Sequence, residues 1–114
     1  MARFSSTLEF SPTGTVLAPG TTNSNAVKTE AAKDARVFID VEVVAAGADI
    51  DIRVQISPDN VDFATIRTFN NITATGLKTL ALKQEELGTF TRLQYFVLVA
   101  NITLKARLEK KQGV

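Results

Sequence analysis

The sequence of 114 residues contains no cysteine, no histidine and no tryptophan, and it has only one tyrosine and three prolines. Without cysteine the chain forms no disulfide and has neither a thiolate nucleophile nor a cysteine-ligated zinc site. Without histidine it lacks the usual general base and the commonest ligand for transition metals. We therefore expect neither an enzyme nor a bound cofactor.

Long hydrophobic runs and a strong charge imbalance are also missing. No apolar run approaches the about 20 residues that span a bilayer, and the first ten residues, MARFSSTLEF, lack the apolar core of a signal peptide. A net charge of +1 provides no general attraction to nucleic acid or to anionic lipid. We expect a chain that folds in a cytoplasm and binds neither nucleic acid nor a membrane.

Alternation of apolar and polar residues is the clearest pattern that is present. In residues 49–57, DIDIRVQIS, the aliphatic side chains occupy every second position, and RVFIDVEVVAA at 36–46 repeats the pattern. Period two is typical of strands with one buried face. Because a turn containing Gly47 joins the two runs, the sequence predicts a β-hairpin.

Further strands are predicted along the second half of the chain. They cover residues 63–69, 77–82, 90–100 and 101–110, and 83–88 is either one helical turn or a tight loop. The 90–100 run is apolar in both phases, which is typical of a central strand covered on both sides. Short strands with turn signals every 8–12 residues predict an all-β fold: a single antiparallel β-sandwich of seven or eight strands, either jelly-roll or immunoglobulin-like.

Three regions of the chain differ in composition. Residues 1–35 combine a first strand at 3–10 with a segment at 11–35 rich in Gly, Pro, Ser, Thr and Asn, which we interpret as an extended arm or long loop. Residues 36–110 form the sandwich core, and 111–114 are a frayed end. The residues expected in the core are Ile39, Val41, Ile52, Val54, Val97 and Leu104.

The loop PDNVD offers oxygen ligands at Asp59, Asn60 and Asp62, which makes it a weak candidate for Ca²⁺. It lacks the length, the glycine and the closing glutamate of an EF-hand loop. A turn in which Asp and Asn side chains accept hydrogen bonds from backbone N–H groups is the simpler interpretation.

Other acidic pairs have equally simple interpretations. Asp49 and Asp51 form a DxD pair, but on a strand they share the outward face. Glu85 and Glu86 are adjacent and point in different directions, so they cannot flank one bond. Tyr95 lies in the most apolar strand and is expected in the core.

Charge is distributed unevenly between the two halves of the sandwich core. Residues 36–75 carry three basic and six acidic side chains (net −3), whereas 76–114 carry seven basic and three acidic ones (net +4). Two interpretations remain open. Neighbouring strands neutralise one another within the chain, or complementary faces meet between subunits.

Three segments resemble a known group of proteins. VQISPDNVDFATI at 54–66 resembles the strand–SPDG turn–aromatic–strand element of small β-sandwich proteins in tailed bacteriophage virions. LGTFTRLQYFV at 87–97 is similar to their later LG-aromatic-x-R-hydrophobic element, and NITLKARLEK at 101–110 occupies the place of their last strand. Asn60 stands where those proteins often have Gly, and Asn also tolerates the left-handed backbone conformation.

The resemblance implies a non-enzymatic structural protein of the virion, present in the host cytoplasm during assembly. It would be a capsid decoration (cement) protein or a minor head or tail component. The implied partners are other virion proteins, either the major capsid protein or neck and tail components, with many copies or a homo-oligomer on the particle. The alternative is a carbohydrate-binding module on a phage or bacterial surface protein, although the shortage of Trp and Tyr argues against it.

The arm at 11–35 is the expected assembly contact, together with one edge of the sandwich. A short strand in it could pair with the open sheet edge of a partner. The residues of this strand are Thr15, Val16, Leu17 and Ala18.

Overall fold

The computed structural model describes residues 4–30 and 32–112, which form two antiparallel β-sheets and one short 3₁₀ turn. The nine strands in these residues are β1 (Phe4–Leu17), β2 (Gly20–Asn23), β3 (Val27–Lys28), β4 (Ala32–Val44), β5 (Asp49–Ser57), β6 (Ala64–Ile72), β7 (Gly76–Lys83), β8 (Phe90–Val99) and β9 (Ile102–Gln112). The all-β sandwich is therefore confirmed. The strand number exceeds seven or eight, partly because β2 and β3 are separate pieces along one edge of β8.

The order of the strands distinguishes between the two sandwich types. Sheet A has the order β1-β9-β4-β7, and sheet B has the order β2-β8-β5-β6, with β3 also beside β8. In an immunoglobulin fold the first strand lies beside the second, whereas here the first strand lies beside the last. The chain changes sheet at every connection except β2–β3 and β5–β6. This is the strand order of a jelly roll.

The predicted hairpin of residues 36–57 is wrong. β4 belongs to sheet A and β5 to sheet B, so the turn at 45–48 carries the chain across the sandwich. The two strands face each other through the core instead of sharing backbone hydrogen bonds. Alternation shows which face of a strand is buried, but it does not show which strand lies beside it. The turn predicted at PDNVD does connect two paired strands, because β5 pairs with β6.

The predicted arm at 11–35 is also wrong, and with it the boundary at Arg36. Residues 11–17 continue β1, which pairs with β9, and β2 and β3 extend sheet B. Phe10, Leu17 and Val27 are buried in the core. The N-terminal third of the chain is thus an integral part of both sheets.

The core lies between the inner faces of the two sheets. All six residues predicted to be buried are at most 2% exposed, which confirms the register of their strands. Tyr95 is buried as expected. In β8 only one face is buried, because Thr91, Leu93, Tyr95 and Val97 point inward while the alternate residues lie half-buried on the outside. The prediction of a doubly covered strand is therefore corrected, although β8 is central in its sheet.

The turn predicted at 83–88 contains the 3₁₀ turn Gln84–Glu86. Within residues 4–30 and 32–112, no helix is long and apolar enough to cross a membrane.

Candidate functional site

The two ends of the sandwich differ in charge. Since the strands run antiparallel, the connections at 18–19, 45–48, 73–75 and 100–101 all lie at one end. The backbone N–H of Ala45 donates to the carbonyl of Asn101 over 3.1 Å, which ties two of these connections together. None of the four contains a charged residue. We call this the uncharged end.

Exposed apolar side chains are concentrated at the uncharged end. Of the six large hydrophobic residues that are exposed in the described part of the chain, five lie within two residues of these connections. They are Val16 (61% exposed), Val43 (58%), Leu77 (57%), Leu98 (45%) and Val99 (54%). Three of them lie on strands of sheet A and two on β8 of sheet B, so they border the uncharged connections on both sheets. Contiguous exposed apolar surface marks interaction sites in soluble domains.

The segment Thr15–Ala18, expected as an assembly contact, lies at the uncharged end. It does not form a free strand, because Thr15, Val16 and Leu17 pair with β9 at 102–104. Leu17 is buried in the core, whereas Val16 points outward and aligns with Thr103 and Val43 across three strands. Within the described chain β1 is an edge strand of sheet A. It pairs with β9 on one side, and no strand pairs with its other side.

The opposite end is acidic and contains a cleft. Its connections include residues 29–30, 58–63 and 84–89, which carry five carboxylates and no basic side chain. Between them lies a cleft of about 630 Å³, a volume within the range of small-molecule sites. Its apolar lining consists of Ile56, Pro58, Phe63, Ala64 and Leu87. The edge of the cleft carries charges of both signs, because Glu30 forms an ion pair with Lys28 over 3.4 Å and the guanidinium of Arg92 stacks on Phe63.

The walls of the cleft are fixed by hydrogen bonds and close packing. The hydroxyl of Thr29 lies 2.8 Å from the carbonyl oxygen of Gly88 and 2.9 Å from the hydroxyl of Thr91. A Cβ added to Gly88 would lie 3.0 Å from the carbonyl oxygen of Ser57, so a larger residue would require the two segments to move apart. The 84–89 loop is therefore held tightly against the end of β5.

The calcium candidate forms a self-contained turn. One carboxylate oxygen of Asp59 accepts hydrogen bonds from the backbone N–H groups of Val61 and Asp62, each over 2.9 Å, and from the hydroxyl of Ser57 over 3.0 Å. The backbone bonds are the main cause that lowers the pKa of Asp59 below its usual 3.8. Asn60 adopts the left-handed conformation, with φ of 63°. These contacts match a turn in which the Asp59 side chain accepts hydrogen bonds from backbone N–H groups. One carboxylate oxygen of Asp59 already accepts three hydrogen bonds.

The remaining acidic candidates are not brought together. Asp51 accepts a hydrogen bond from the backbone N–H of Asn71 over 2.8 Å, and one buried oxygen of Asp49 has no partner in the described chain. Glu86 forms an ion pair with Arg67 and accepts from the backbone N–H of Lys83. No group of three or more Asp or Glu residues in the described ranges is arranged to hold a metal ion.

A regular array of side chains lies on the outer face of sheet B. Arg53 on β5 lies opposite Gln94 on β8, and two residues along, Gln55 on β5 lies opposite Arg92 on β8. In each pair the arginine donates to the glutamine carbonyl oxygen, over 3.0 Å for Arg53 and 2.8 Å for Arg92. We call these four residues the Arg–Gln lattice.

Sequence patterns did not reveal the lattice, because each strand taken alone shows only polar outward residues. The strand register brings the two Arg–Gln pairs into contact. The sequence does show that four connecting segments contain no charged residue. Only the jelly-roll strand order shows that these four segments lie at the same end of the sandwich.

Comparison of the sequence with protein-family models and with curated proteins finds no match.

Proposed function

We propose that this chain is a non-enzymatic structural protein of a tailed-phage virion, a capsid decoration protein or a minor head or tail component, and that its uncharged end makes the contact with the particle. Two kinds of support exist. The three segments described above resemble virion β-sandwich proteins, and the jelly roll is an architecture used in viral capsid domains. A fold alone does not define a function, so the proposal depends mainly on the surface.

The observation that carries the proposal is the clustering of exposed aliphatic side chains at the uncharged end. Val16 and Val43 flank Thr103 on the outer face of sheet A, and Leu98 and Val99 lie beside the neighbouring turn. Interface centres are depleted in charge and rich in apolar surface. Four uncharged connections around these side chains provide such a centre. The carboxylate of Asp49, which directly follows one of these connections and lies opposite Val99, borders it.

Part of the charge imbalance is neutralised within the chain, because Lys105 of the basic half lies 3.9 Å from Asp40 of the acidic half. The ion pair of Arg67 with Glu86 joins a cation of the acidic half to an anion of the basic half, so it leaves the imbalance unchanged. At the proposed contact, burial of apolar surface is the main source of binding energy.

The experiment is co-sedimentation of the purified protein with particles of a phage that encodes it, prepared from a strain that lacks the gene. We expect the wild-type protein to pellet with the particles and to saturate. The double variant V16E/V43E should bind at least about tenfold more weakly, because two carboxylates would be buried at the contact. V61E is the matched control, since Val61 is 77% exposed at the acidic end.

Two results would count against the proposal. Failure of the wild-type protein to bind any particle fraction would contradict a virion role. Equal binding by V16E/V43E and V61E would leave the virion role intact and remove the uncharged end as the contact.

A further inference from the structure

We propose that the outer face of sheet B binds an oligosaccharide that carries carboxylate groups, and that the Arg–Gln lattice provides the recognition. The ligand class is a polysaccharide containing acidic sugars, such as uronic acids. This binding site is separate from the uncharged end and does not depend on the proposed contact with the particle.

The lattice carries two positive charges, on Arg53 and Arg92. Neither Arg53 nor Arg92 has a carboxylate partner among the residues that the structure describes, whereas Arg67 and Arg107 pair with Glu86 and Glu109. Each lattice guanidinium has N–H donors beyond the one that binds glutamine. An anionic ligand with several acceptor oxygens would use these donors, and guanidinium groups recognise carboxylates by paired hydrogen bonds.

Both guanidinium groups are held in place before any ligand binds. Arg92 stacks over the ring of Phe63 at 3.7 Å from its centroid, and Arg53 lies over Phe96 at 5.6 Å. Gln55 is itself only 7% exposed and donates to the hydroxyl of Thr65 over 3.1 Å. Because these contacts restrict the side chains, little conformational entropy is lost on binding.

The neighbours of the two cations favour a sugar over an acidic protein segment. Asn23 accepts from Gln94 over 3.2 Å, and Thr68 and Thr65 lie opposite Arg53 and Gln55 on β6. One carboxylate, that of Asp51, lies two residues from Arg53 on the same face and accepts from the backbone N–H of Asn71. Amide and hydroxyl groups both donate and accept hydrogen bonds, as sugar hydroxyls do. The Cα atoms of Arg53 and Arg92 stand at diagonal positions, about 7–8 Å apart, and their guanidinium groups lie over different rings, Phe96 and Phe63. Two separated cations suit occasional carboxylates in a hydroxyl-rich chain.

The test measures binding of galacturonic acid oligosaccharides by isothermal titration calorimetry. Galactose oligosaccharides serve as the neutral control and a polyglutamate peptide as the acidic protein control. The variants R53Q and R92Q each remove one lattice cation. R36Q is the matched control, because Arg36 is a half-buried arginine on the outer face of sheet A.

We expect the wild-type protein to bind galacturonic acid oligosaccharides, more weakly as salt is added, and to bind neither control ligand. R53Q and R92Q should each raise the Kd about tenfold or more, as for the loss of a charge-assisted hydrogen bond, whereas R36Q should bind like wild type. Unchanged thermal midpoints would show that the variants fold. If either R53Q or R92Q does not fold, the Kd of the other variant and the salt dependence of wild-type binding test the proposal.

Three outcomes would overturn the proposal. One is the absence of binding by the wild-type protein. Another is equal or tighter binding of polyglutamate, which would indicate an acidic protein partner. The third is an equal loss of affinity in R36Q, which would indicate attraction to net charge instead of recognition by the lattice.

Discussion

The hydroxyl of Tyr95 lies 2.7 Å from the hydroxyl of Ser11, so one hydrogen bond joins β8 of sheet B to β1 of sheet A through the core. Tyr95 is 1% exposed and Ser11 is 5% exposed. Removing either group leaves the other hydroxyl buried without this partner, whereas removing both leaves an apolar pair. The contact therefore connects the first strand of the chain to the central strand of the opposite sheet.

A double-mutant cycle on this pair should be non-additive. S11A and Y95F should each lower the free energy of unfolding by about 1–3 kcal/mol, because a buried polar group loses its partner. The double variant should lose less than the sum of the two. Urea unfolding monitored by circular dichroism measures all four proteins. Strict additivity would mean that the two hydroxyls do not interact.

The same residue predicts how stability depends on alkaline pH. Burial, opposed in part by the Ser11 hydrogen bond, raises the pKa of Tyr95 from 10.0 to about 12. Between these values the unfolded chain loses the phenol proton and the folded chain keeps it. The free energy of unfolding should therefore fall as pH rises from 10 to about 12, by about 2–3 kcal/mol at most.

Y95F is the control for this pH dependence, since it removes the phenol but keeps the lysines that also titrate in this range. Tyr95 is the only tyrosine, so tyrosinate absorbance reports on it alone. In the folded protein we expect no rise in tyrosinate absorbance near pH 10. The absorbance should rise only when the protein unfolds. A midpoint near 10 in the folded protein would show that the ring is accessible to water.

Core packing is tested by V97A, with V43A as the matched control. Val97 is 2% exposed between the sheets, while Val43 is 58% exposed. Truncation at Val97 loses buried apolar area and leaves a partial cavity, which should destabilise the fold by about 1–3 kcal/mol. V43A should change the free energy of unfolding by no more than about 0.5 kcal/mol, as is usual for surface positions. Equal losses would contradict the register of β4 or β8.

The Asp59 side chain should stabilise the turn after β5, and this contribution to stability should depend on pH. D59A should lower the urea midpoint more than D62A, because the Asp59 side chain accepts the backbone N–H groups of Val61 and Asp62 in this turn. Since the pKa of Asp59 is lowered, its contribution is present above pH 3.8 and is lost as pH falls through the folded pKa. D59N should keep part of the effect at neutral pH through its amide oxygen.

Chelation separates this turn from a calcium site. We expect the thermal midpoint to be unchanged by EDTA, and unchanged again when calcium is added. A ligand that binds only the folded state must stabilise it, so a shift of many degrees would restore the calcium interpretation of Asp59, Asn60 and Asp62.

Strand faces could be predicted from the sequence far better than strand partners. The alternation of β5 and β9 identified inward residues such as Ile52 and Leu104 correctly, because burial imposes period two. It led to a false hairpin between β4 and β5, since facing strands of two sheets show the same alternation as paired strands of one sheet.

The N-terminal third was misread for a different physical reason. Register shifts at Glu9/Ser11 and Ser11/Thr15 interrupt the alternation in β1, and all four residues of β2 are exposed. A bulged edge strand therefore looks like a loop in sequence. The Arg–Gln lattice was hidden similarly, because Arg53 and Gln94 are 41 residues apart and only the register places them together.

The most direct test of the virion role is the amount of this protein in purified particles. Particles of a phage that encodes the chain would be purified on a density gradient, washed in high salt and analysed by quantitative mass spectrometry. The proposal predicts a fixed ratio of this protein to the major capsid or tail protein through gradient and wash, since apolar contacts resist salt. A ratio that falls to zero, with the protein recovered in the soluble lysate, would contradict it.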